Sequence, residues 1–361
     1  MKKKLRVAIL FGGKSAEHEI SLISARNIVE AMDKTKYDVV AIGIDKQGRW
    51  HLDEGARLLL GKTELQVEYP DSKNAAAVMP GETATPMVRA TGAPLGALDA
   101  VFPILHGPFG EDGTVQGLLK LANLPFVGAG VLGSAVGMDK DVMKRLLRDA
   151  DVPIGKFLVF HRADKISFAR VKKTLGMPLF VKPANLGSSV GISKVGKPAE
   201  FAAAIKEAFR YDNKIIIEEF IKGREIECSV LGNDKPIASL PGEIVVNRDF
   251  YSYAAKYLDD HGARLEIPAR LPKAMIKKVR DLALRAYRAL CCEGMARVDF
   301  FVQANGQVLV NEINTIPGFT KISMYPKMWE ATGISYSKLI DRLIQLAIQR
   351  HRSEKRLRTS K

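Results

Sequence analysis

The chain has 361 residues, of which 47% are hydrophobic and 26% are charged, a composition typical of globular proteins with two or three domains. No apolar run approaches the ~20 residues of a membrane span, so no membrane partner is expected. The formal net charge of +15 would suit nucleic acid, but the basic residues are dispersed and no nucleic-acid module is recognisable, so none is expected as a partner. Three cysteines without metal-ligand spacing predict a reducing compartment and a cytoplasmic location.

The first part of the chain has the pattern of an open α/β sheet. A strand over 5–11 ends at two glycines, an amphipathic helix follows over 18–32, and a second strand covers 37–44. Ligands bind beyond the carboxyl ends of such strands, which places Glu17 where a ligand could be met. The alternative for Glu17 is a capping acid at the helix start. From about 46 to 98 the pattern weakens, which predicts an insertion.

A third strand, over 100–105, leads into the glycine-rich loop His106-Gly-Pro-Phe-Gly-Glu-Asp-Gly113 before a helix over 114–122. Such a loop suits a ligand, although a lone histidine such as His106 is as often structural. A G-x-G-x-x-G match at 128–133 lacks an acid at the end of a following strand. It therefore predicts a joint between domains rather than a dinucleotide site.

A lysine precedes a loop of glycine and serine in the middle of the chain. After a predicted helix over 138–150, a strand over 179–183 carries Lys182 into the loop 184–191. Backbone amides and hydroxyls of such a loop can hold phosphates. The loop also contains the G-x-S-x-G pattern of serine hydrolases, but that nucleophile turn must lead into a helix, and here a strand over 192–195 follows. Phosphate binding is therefore the favoured interpretation.

Two further strands carry acids. One over 214–221 ends in acidic residues, and one over 224–231 places Glu225 and Glu227 on one face, for which a solvated face is the alternative. The stretch 247–264 contains three tyrosines and no regular period, which favours a functional loop. Two amphipathic helices are predicted in the remaining chain, over 272–292 and 336–350.

The strongest chemical pattern lies in a predicted hairpin at 296–314 with an Asn-Gly turn. Strand alternation places Arg297 and Asp299 on one side of the first strand, and it places Glu312 and Asn314 together on the second. Clustered carboxylates repel unless a cation lies among them, and oxygen ligands of this kind suit Mg²⁺. The alternative is an exposed hairpin face with ordinary charges.

Together these features resemble the ATP-grasp superfamily and, in detail, the D-alanine:D-alanine ligase family. The matching motifs, in order, are Gly13-Lys-Ser-Ala-Glu17-His-Glu19, His106 to Gly113, Met138-Asp-Lys140, Val181-Lys-Pro, Gly187-Ser-Ser-Val-Gly191, Ile217-Glu-Glu-Phe-Ile, Gly294-Met-Ala-Arg-Val-Asp299 and Asn311-Glu-Ile-Asn-Thr-Ile-Pro-Gly318. The resemblance implies an α/β (α+β) ATP-grasp fold with an N-terminal open parallel sheet. Its three domains would be 1–128 with the insertion, a central subdomain 129–219, and a C-terminal subdomain 220–361, with ATP between the last two.

The resemblance also implies the site residues. ATP would be bound through its phosphates by Lys140 and Lys182, and otherwise by Ser189, Glu218, Glu219, Phe220, Ile221 and Glu225, where Glu219 stands in place of a lysine of some relatives. Two Mg²⁺ (or Mn²⁺) ions would be held by Asp299, Glu312 and Asn314. The amino-acid substrates would be bound by Glu17, His106, Lys256, Arg297, Gly318 and Ser323. Catalysis would further use a hydrogen-bond network of Glu17, Ser188 and Tyr257, and oxyanion donors on Arg297 and Gly318.

The implied activity is ATP-dependent ligation of two D-alanines through a D-alanyl phosphate, for peptidoglycan precursor synthesis, by a homodimer. One alternative is a ligase of the same fold that accepts D-lactate or D-serine as second substrate. Tyr257 favours D-alanine, because relatives that use D-lactate usually differ at this position. The other alternative is a non-catalytic nucleotide-binding protein. The presence of Lys182, Arg297 and Asp299 at the family's functional positions disfavours it.

Overall fold

The structure is a computed structural model, and it describes residues 3–52, 76–78, 87–89, 95–187, 190–246 and 263–358. Within these ranges the chain forms two four-stranded sheets, one six-stranded sheet and one two-stranded sheet. The predicted α/β (α+β) class is confirmed. No helix in the described ranges is both long and apolar enough to cross a membrane.

The first sheet is open and mostly parallel, as predicted. The elements of this part of the chain are β1 (Leu5–Gly12), α1 (His18–Ala31), β2 (Tyr37–Ile44), β3 (Trp50–Leu52), β4 (Ala76–Val78), β5 (Met87–Arg89), β6 (Ala100–Ile104) and α2 (Thr114–Leu121). The strand order is β3-β2-β1-β6, in which only β3 runs antiparallel to its neighbour. Strands β4 and β5, from the predicted insertion, form a separate antiparallel pair.

Two consecutive helices, α3 (Val131–Met138) and α4 (Lys140–Asp149), lead to the second sheet. The predicted helix over 138–150 begins at Lys140, because the carboxylate of Asp139 caps the first turn by accepting two backbone N–H groups. The segment 128–133, predicted as a joint between domains, runs into the first turn of α3. Gly133 approaches Cys291 so closely that a Cβ atom would lie 2.6 Å from its carbonyl oxygen.

The second sheet is antiparallel throughout. It contains β7 (Phe157–His161), α5 (Phe168–Leu175), β8 (Leu179–Pro183), β9 (Ser193–Val195), α6 (Phe201–Ala208) and β10 (Lys214–Glu219). The order is β7-β10-β8-β9. Val171 and Leu175 of α5 pack with Val181 and Ile217 in one apolar core. The sequence pattern predicted β8, β9 and β10 but neither β7 nor α5.

The third sheet holds the predicted hairpin. Its elements are β11 (Arg224–Gly232), β12 (Ile237–Ala238), β13 (Gly242–Val246), β14 (Ala263–Glu266), α7 (Lys273–Ala289), β15 (Gly294–Val302), β16 (Val308–Asn314), α8 (Met324–Ala331) and α9 (Tyr336–Glu354). The order is β14-β13-β11-β15-β16, with β12 paired to β11. Helix α7 packs its apolar side against the sheet.

Helix α9, near the end of the described chain, packs against the first sheet. Leu343 and Ala347 of α9 lie in the same apolar core as Val7 and Phe11 of β1 and Phe319 after β16. This shared core places the carboxyl ends of β1 and β6 beside the end of the hairpin.

Candidate active site

The hairpin of β15 and β16 has one apolar face and one polar face, as predicted. The apolar side chains of β15 are at most 1% exposed: Ala296, Val298 and Phe300. On the polar face, Arg297 lies opposite Asn314 and Asp299 lies opposite Glu312, with a bulge directly after Asp299. The pairing register therefore gathers the four predicted residues.

Asp299 is the centre of this polar face. The guanidinium of Arg297 donates to both carboxylate oxygens of Asp299 at 2.7 Å, and Nδ2 of Asn314 donates to one of them at 3.0 Å. Nε of Arg297 also lies 3.0 Å from the carboxylate of Glu227 on β11. Glu227 is only 5% exposed, so a solvated face is the wrong interpretation for this residue. Two acids hold Arg297 in a fixed orientation.

The oxygen atoms of Asp299, Glu312 and Asn314 are suitable ligands for Mg²⁺. The two carboxylates are register partners on one face, and the Glu312 side chain is 25% exposed. Within the described ranges, no group of three or more His, Cys, Asp or Glu side chains could hold a metal ion. Two carboxylates and one amide oxygen fit an ion that completes its coordination with water and substrate phosphate, as Mg²⁺ usually does.

Three lysines and two glutamates form a buried charge cluster beside the hairpin. Nζ of Lys182 lies 2.5 Å from one carboxylate oxygen of Glu218, and Nζ of Lys144 lies 2.7 Å from the other. Nζ of Lys140 lies 3.9 Å from Glu312 and donates at 2.7 Å to a backbone carbonyl of the Gly/Ser loop. Lys140 and Lys182 were predicted here, whereas Lys144 was not.

Opposite charges outweigh burial for Glu218 and Lys182 in this cluster, but not for Lys140. Burial alone would raise the pKa of Glu218, but the ammonium groups of Lys144 and Lys182 outweigh it and hold that pKa far below its usual range. Burial alone would lower the pKa of Lys182, yet Glu218 and Glu312 raise it. For Lys140, burial prevails over the attraction of Glu312 and lowers the pKa.

The predicted nucleotide residues lie where β10 ends and β11 begins: Glu218, Glu219, Phe220, Ile221 and Glu225. The carboxylate of Glu219 accepts the backbone N–H of Lys156 at 2.7 Å, which fixes it at the edge of the second sheet. The ring of Phe220 is 39% exposed, and its centre lies 6.3 Å from that of Phe180. An exposed aromatic ring beside a charged cluster is able to stack on a planar base.

Glu17 and His106 reach the site from the first sheet. Glu17 is 8% exposed, and its Oε2 lies 3.2 Å and 3.5 Å from the positions that Cβ atoms on Gly107 and Gly187 would take. Nδ1 of His106 lies 3.1 Å from the carbonyl oxygen of Ile316. Since a carbonyl only accepts, Nδ1 carries the proton. Nε2 is then a buried acceptor without a partner among the described residues, and burial lowers the pKa of this imidazole.

Glu111, in the loop after His106, is a site residue that sequence reasoning missed. Its carboxylate accepts the backbone N–H groups of Gly107 at 2.7 Å and Ile316 at 3.3 Å. Burial and the nearby carboxylate of Glu17 raise the pKa of Glu111 to about 8. The motif containing Glu111 was recognised, but its spacing does not distinguish Glu111 from the adjacent acid.

The turn after β16 places Gly318 against Ser323. A Cβ atom on Gly318 would lie 2.8 Å from Oγ of Ser323, so a side chain at this position would require Ser323 to shift. Oγ of Ser323 accepts a hydrogen bond from the backbone N–H of Thr320 at 2.9 Å. The backbone N–H of Phe319, the residue after Gly318, donates to Oγ of Ser24 on α1 at 3.2 Å. Contacts to α1 and α8 therefore fix this turn. The other predicted site residues lie outside the described residues: Ser188, Ser189, Lys256 and Tyr257.

A small cavity lies where these parts meet. It is lined by residues of all three sheets or their connections, among them Glu111, Lys140, Gly187, Glu312 and Asn314. The loop rich in glycine and serine and the start of α4 thus line this cavity together with the acidic end of the hairpin. This is the architecture of an ATP-grasp ligase, and the predicted ATP-grasp fold is confirmed by the solved structures below.

Comparison with known proteins identifies the family. Models of the N-terminal and C-terminal parts of D-ala D-ala ligases match residues 6–129 and 146–345. The D-alanine–D-alanine ligase of Shouchella clausii is 56% identical over 361 residues, 99% of this chain and 98% of the relative. The solved ligase of Coxiella burnetii has a TM-score of 0.84 and 42% identity over 98% of each chain. The VanG D-Ala:D-Ser ligase of Enterococcus faecalis has a TM-score of 0.85 and 38% identity over 96% of this chain and 100% of its own. The chain belongs to the D-alanine–D-alanine ligase family and is a ligase.

Proposed function

We propose that this ligase forms D-alanyl-D-alanine from two D-alanines and ATP, through a D-alanyl phosphate, for peptidoglycan precursor synthesis. The observation that carries the proposal is the convergence of three parts of the chain on one cavity. Glu111 comes from the first sheet, Lys140 and Gly187 come from the central part, and Glu312 and Asn314 come from the hairpin. A reaction of two amino acids with a nucleotide needs such a meeting point, because each reactant requires its own set of contacts.

ATP binds between the second and third sheets in this proposal. Lys140 and Lys182 neutralise its phosphates, which suits phosphoryl transfer, where the protein mainly positions groups and balances charge. The remaining nucleotide contacts come from Ser189, Glu218, Glu219, Phe220, Ile221 and Glu225.

The hairpin acids supply the metal ligands. Asp299, Glu312 and Asn314 would hold Mg²⁺ or Mn²⁺, with two ions expected, and the bound metal neutralises charge on the transferring phosphoryl group. Glu312 is the more accessible of the two carboxylates, because its side chain is 25% exposed against 14% for Asp299.

The first D-alanine lies beside Glu17. This nearly buried carboxylate pairs with the substrate ammonium, while His106 completes the polar wall. The substrate carboxylate attacks the γ-phosphorus of ATP, and ADP leaves. A carboxylate that has been phosphorylated is an activated acyl group, which prepares the second step.

The amine of the second D-alanine attacks the acyl carbon, and inorganic phosphate leaves. Arg297 and the backbone N–H of Gly318 donate to the oxyanion that forms, each contributing about 3 kcal/mol if comparable donors are a guide. Asp299 and Glu227 already orient the guanidinium in this structure. Lys256 and Ser323 hold the carboxylate of the second substrate.

The acyl phosphate must be protected from water. Glu17, Ser188 and Tyr257 form a hydrogen-bond network that closes the loop over the site in this proposal. The protein acts in the cytoplasm as a homodimer. The hydrogen-bond network and the homodimer are inferred from the family resemblance, and the cytoplasmic location is inferred from cysteine usage as well.

The test is formation of ADP and phosphate by the purified protein with ATP, Mg²⁺ and one amino-acid mixture at a time. D-Alanine alone should support turnover and yield the dipeptide by mass spectrometry. Turnover at neutral pH that requires added D-lactate or D-serine would instead indicate a ligase with another second substrate. No ADP in any mixture, with intact folding, would refute the proposal.

A further inference from the structure

Helix α4 turns two lysines toward the interior. Lys140, Met143, Lys144 and Leu147 are buried on one face of this helix. Their spacing is the one at which apolar residues normally occur on a core-facing helix. Lys144 is only 2% exposed, and a buried ammonium is costly unless it is paired and hydrogen-bonded. Its position therefore requires a specific partner.

Lys144 has two such partners. Nζ lies 2.7 Å from one carboxylate oxygen of Glu218 and donates to the carbonyl of Asn311 on β16 at 3.3 Å. Its side chain is 3% exposed, against 9% for Lys140 and 13% for Lys182. Lys144 is thus the most enclosed of the three lysines, and it spans the interface between α4, β10 and β16.

Lys182 has two competing partners in the proposed function, Glu218 and the phosphates of ATP. Lys182 lies 2.5 Å from the other oxygen of Glu218, yet the proposed function requires Lys182 to contact the phosphates of ATP. If Lys182 were the only partner, its departure would leave a buried carboxylate without a counter-ion, which is strongly unfavourable. With Lys144 in place, Glu218 keeps one buried cation throughout.

We propose that Lys144 is a positioning residue for ATP binding: it is the stationary counter-ion of Glu218 and thereby allows Lys182 to move from Glu218 to the phosphates. This inference rests on the proposed function, since it takes ATP as the ligand. Lys144 itself does not touch the nucleotide. Its effect is confined to the part of the binding free energy that comes from the phosphates.

The experiment compares two probes on the full-length protein: adenosine, and a non-hydrolysable ATP analogue with Mg²⁺. The ratio of their dissociation constants, measured by titration calorimetry or fluorescence competition, isolates the gain from the phosphates. In Lys144→Met this ratio should fall about tenfold, the size expected when one charge-assisted contact is lost. The affinity for adenosine should stay near that of the wild type. An unchanged ratio would overturn the inference.

The double variant Lys144→Met/Glu218→Gln separates positioning from direct contact. Removing the charge of Glu218 frees Lys182, so the ratio should recover toward that of the single variant Glu218→Gln. A ratio that stays low would mean that Lys144 serves the phosphates itself and would overturn the inference. If Lys144→Met alone does not fold, the same question can be decided by comparing the double variant with Glu218→Gln. Equal ratios would support the positioning role, and a lower ratio in the double variant would mean that Lys144 contacts the phosphates itself.

The matched control is Arg145→Met on the same turn of α4. Arg145 also carries one positive charge, but its side chain is 55% exposed and pairs with Asp141, away from Glu218. In Arg145→Met the ratio of the two dissociation constants should equal that of the wild type. A decrease as large as in Lys144→Met would indicate a general effect of charge and would overturn the inference. Wild-type protein that binds neither probe would refute the proposed function as well, whereas normal binding with an unchanged ratio in Lys144→Met would refute the inference alone.

Discussion

Replacing Glu111 with glutamine should remove a pH dependence of stability. Burial and the carboxylate of Glu17 raise the pKa of Glu111 from 4.5 to about 8, despite the N–H groups of Gly107 and Ile316 that favour its charge. Glu111 is therefore protonated in the folded protein near neutral pH and ionised in the unfolded chain. Unfolding releases this proton, so the free energy of unfolding decreases as the pH rises toward 8.

The magnitude follows from the two pKa values. The contribution of Glu111 is fully present below the pKa of the unfolded chain, and it decreases by about 1.4 kcal/mol per pH unit until the pH reaches the folded-state pKa. Between about pH 6 and pH 8 the loss is on the order of 2 kcal/mol, because the curve flattens near the folded-state pKa. Glutamine keeps the size and neutrality of the protonated acid, so Glu111→Gln should lack this slope.

The assay is equilibrium unfolding in urea at about pH 6, pH 7 and pH 8, on the wild type and on Glu111→Gln. The quantity of interest is the difference in unfolding free energy between the two proteins, in which other titrating groups cancel. The exposed Glu330 on α8 provides the control variant Glu330→Gln, which should follow the wild type. If Glu111→Gln loses stability with pH as steeply as the wild type, the proton belongs to another group and the reasoning is wrong.

Two further variants test other parts of the structure. Glu312→Gln should abolish ligase turnover while the urea midpoint stays near that of the wild type, because it removes a proposed metal ligand from a partly exposed position; near-normal turnover would contradict the metal assignment. Arg350→Met should destabilise the protein by about 3 kcal/mol in urea unfolding, because it leaves two buried carbonyls without their donor. Those carbonyls belong to Phe126 and Gly128, at 2.8 Å and 2.6 Å from the guanidinium, and a loss below about 1 kcal/mol would contradict this account.

Local pattern predicted much of the fold because strands and helices have fixed periods. The alternation in β15 was sufficient to place Arg297 and Asp299 on the polar face, and the register with β16 added Glu312. The same reasoning did not predict β7 and α5, which span only five and eight residues. It also did not predict that Gly133 permits close packing of α3 against Cys291.

Ion-pair partners within the site were beyond such reasoning, because they depend on distances between segments far apart in sequence. Glu218 lies 74 positions from Lys144, and only the packing of α4 against β10 brings them to 2.7 Å. One sequence signal was nevertheless present: Lys140 and Lys144 fall on the same face as Met143 and Leu147. Lysines on an otherwise apolar face are costly to bury, so that pattern indicates buried acids nearby. Helix α4 therefore carries both Lys140, a proposed phosphate ligand, and Lys144, the proposed stationary counter-ion of Glu218.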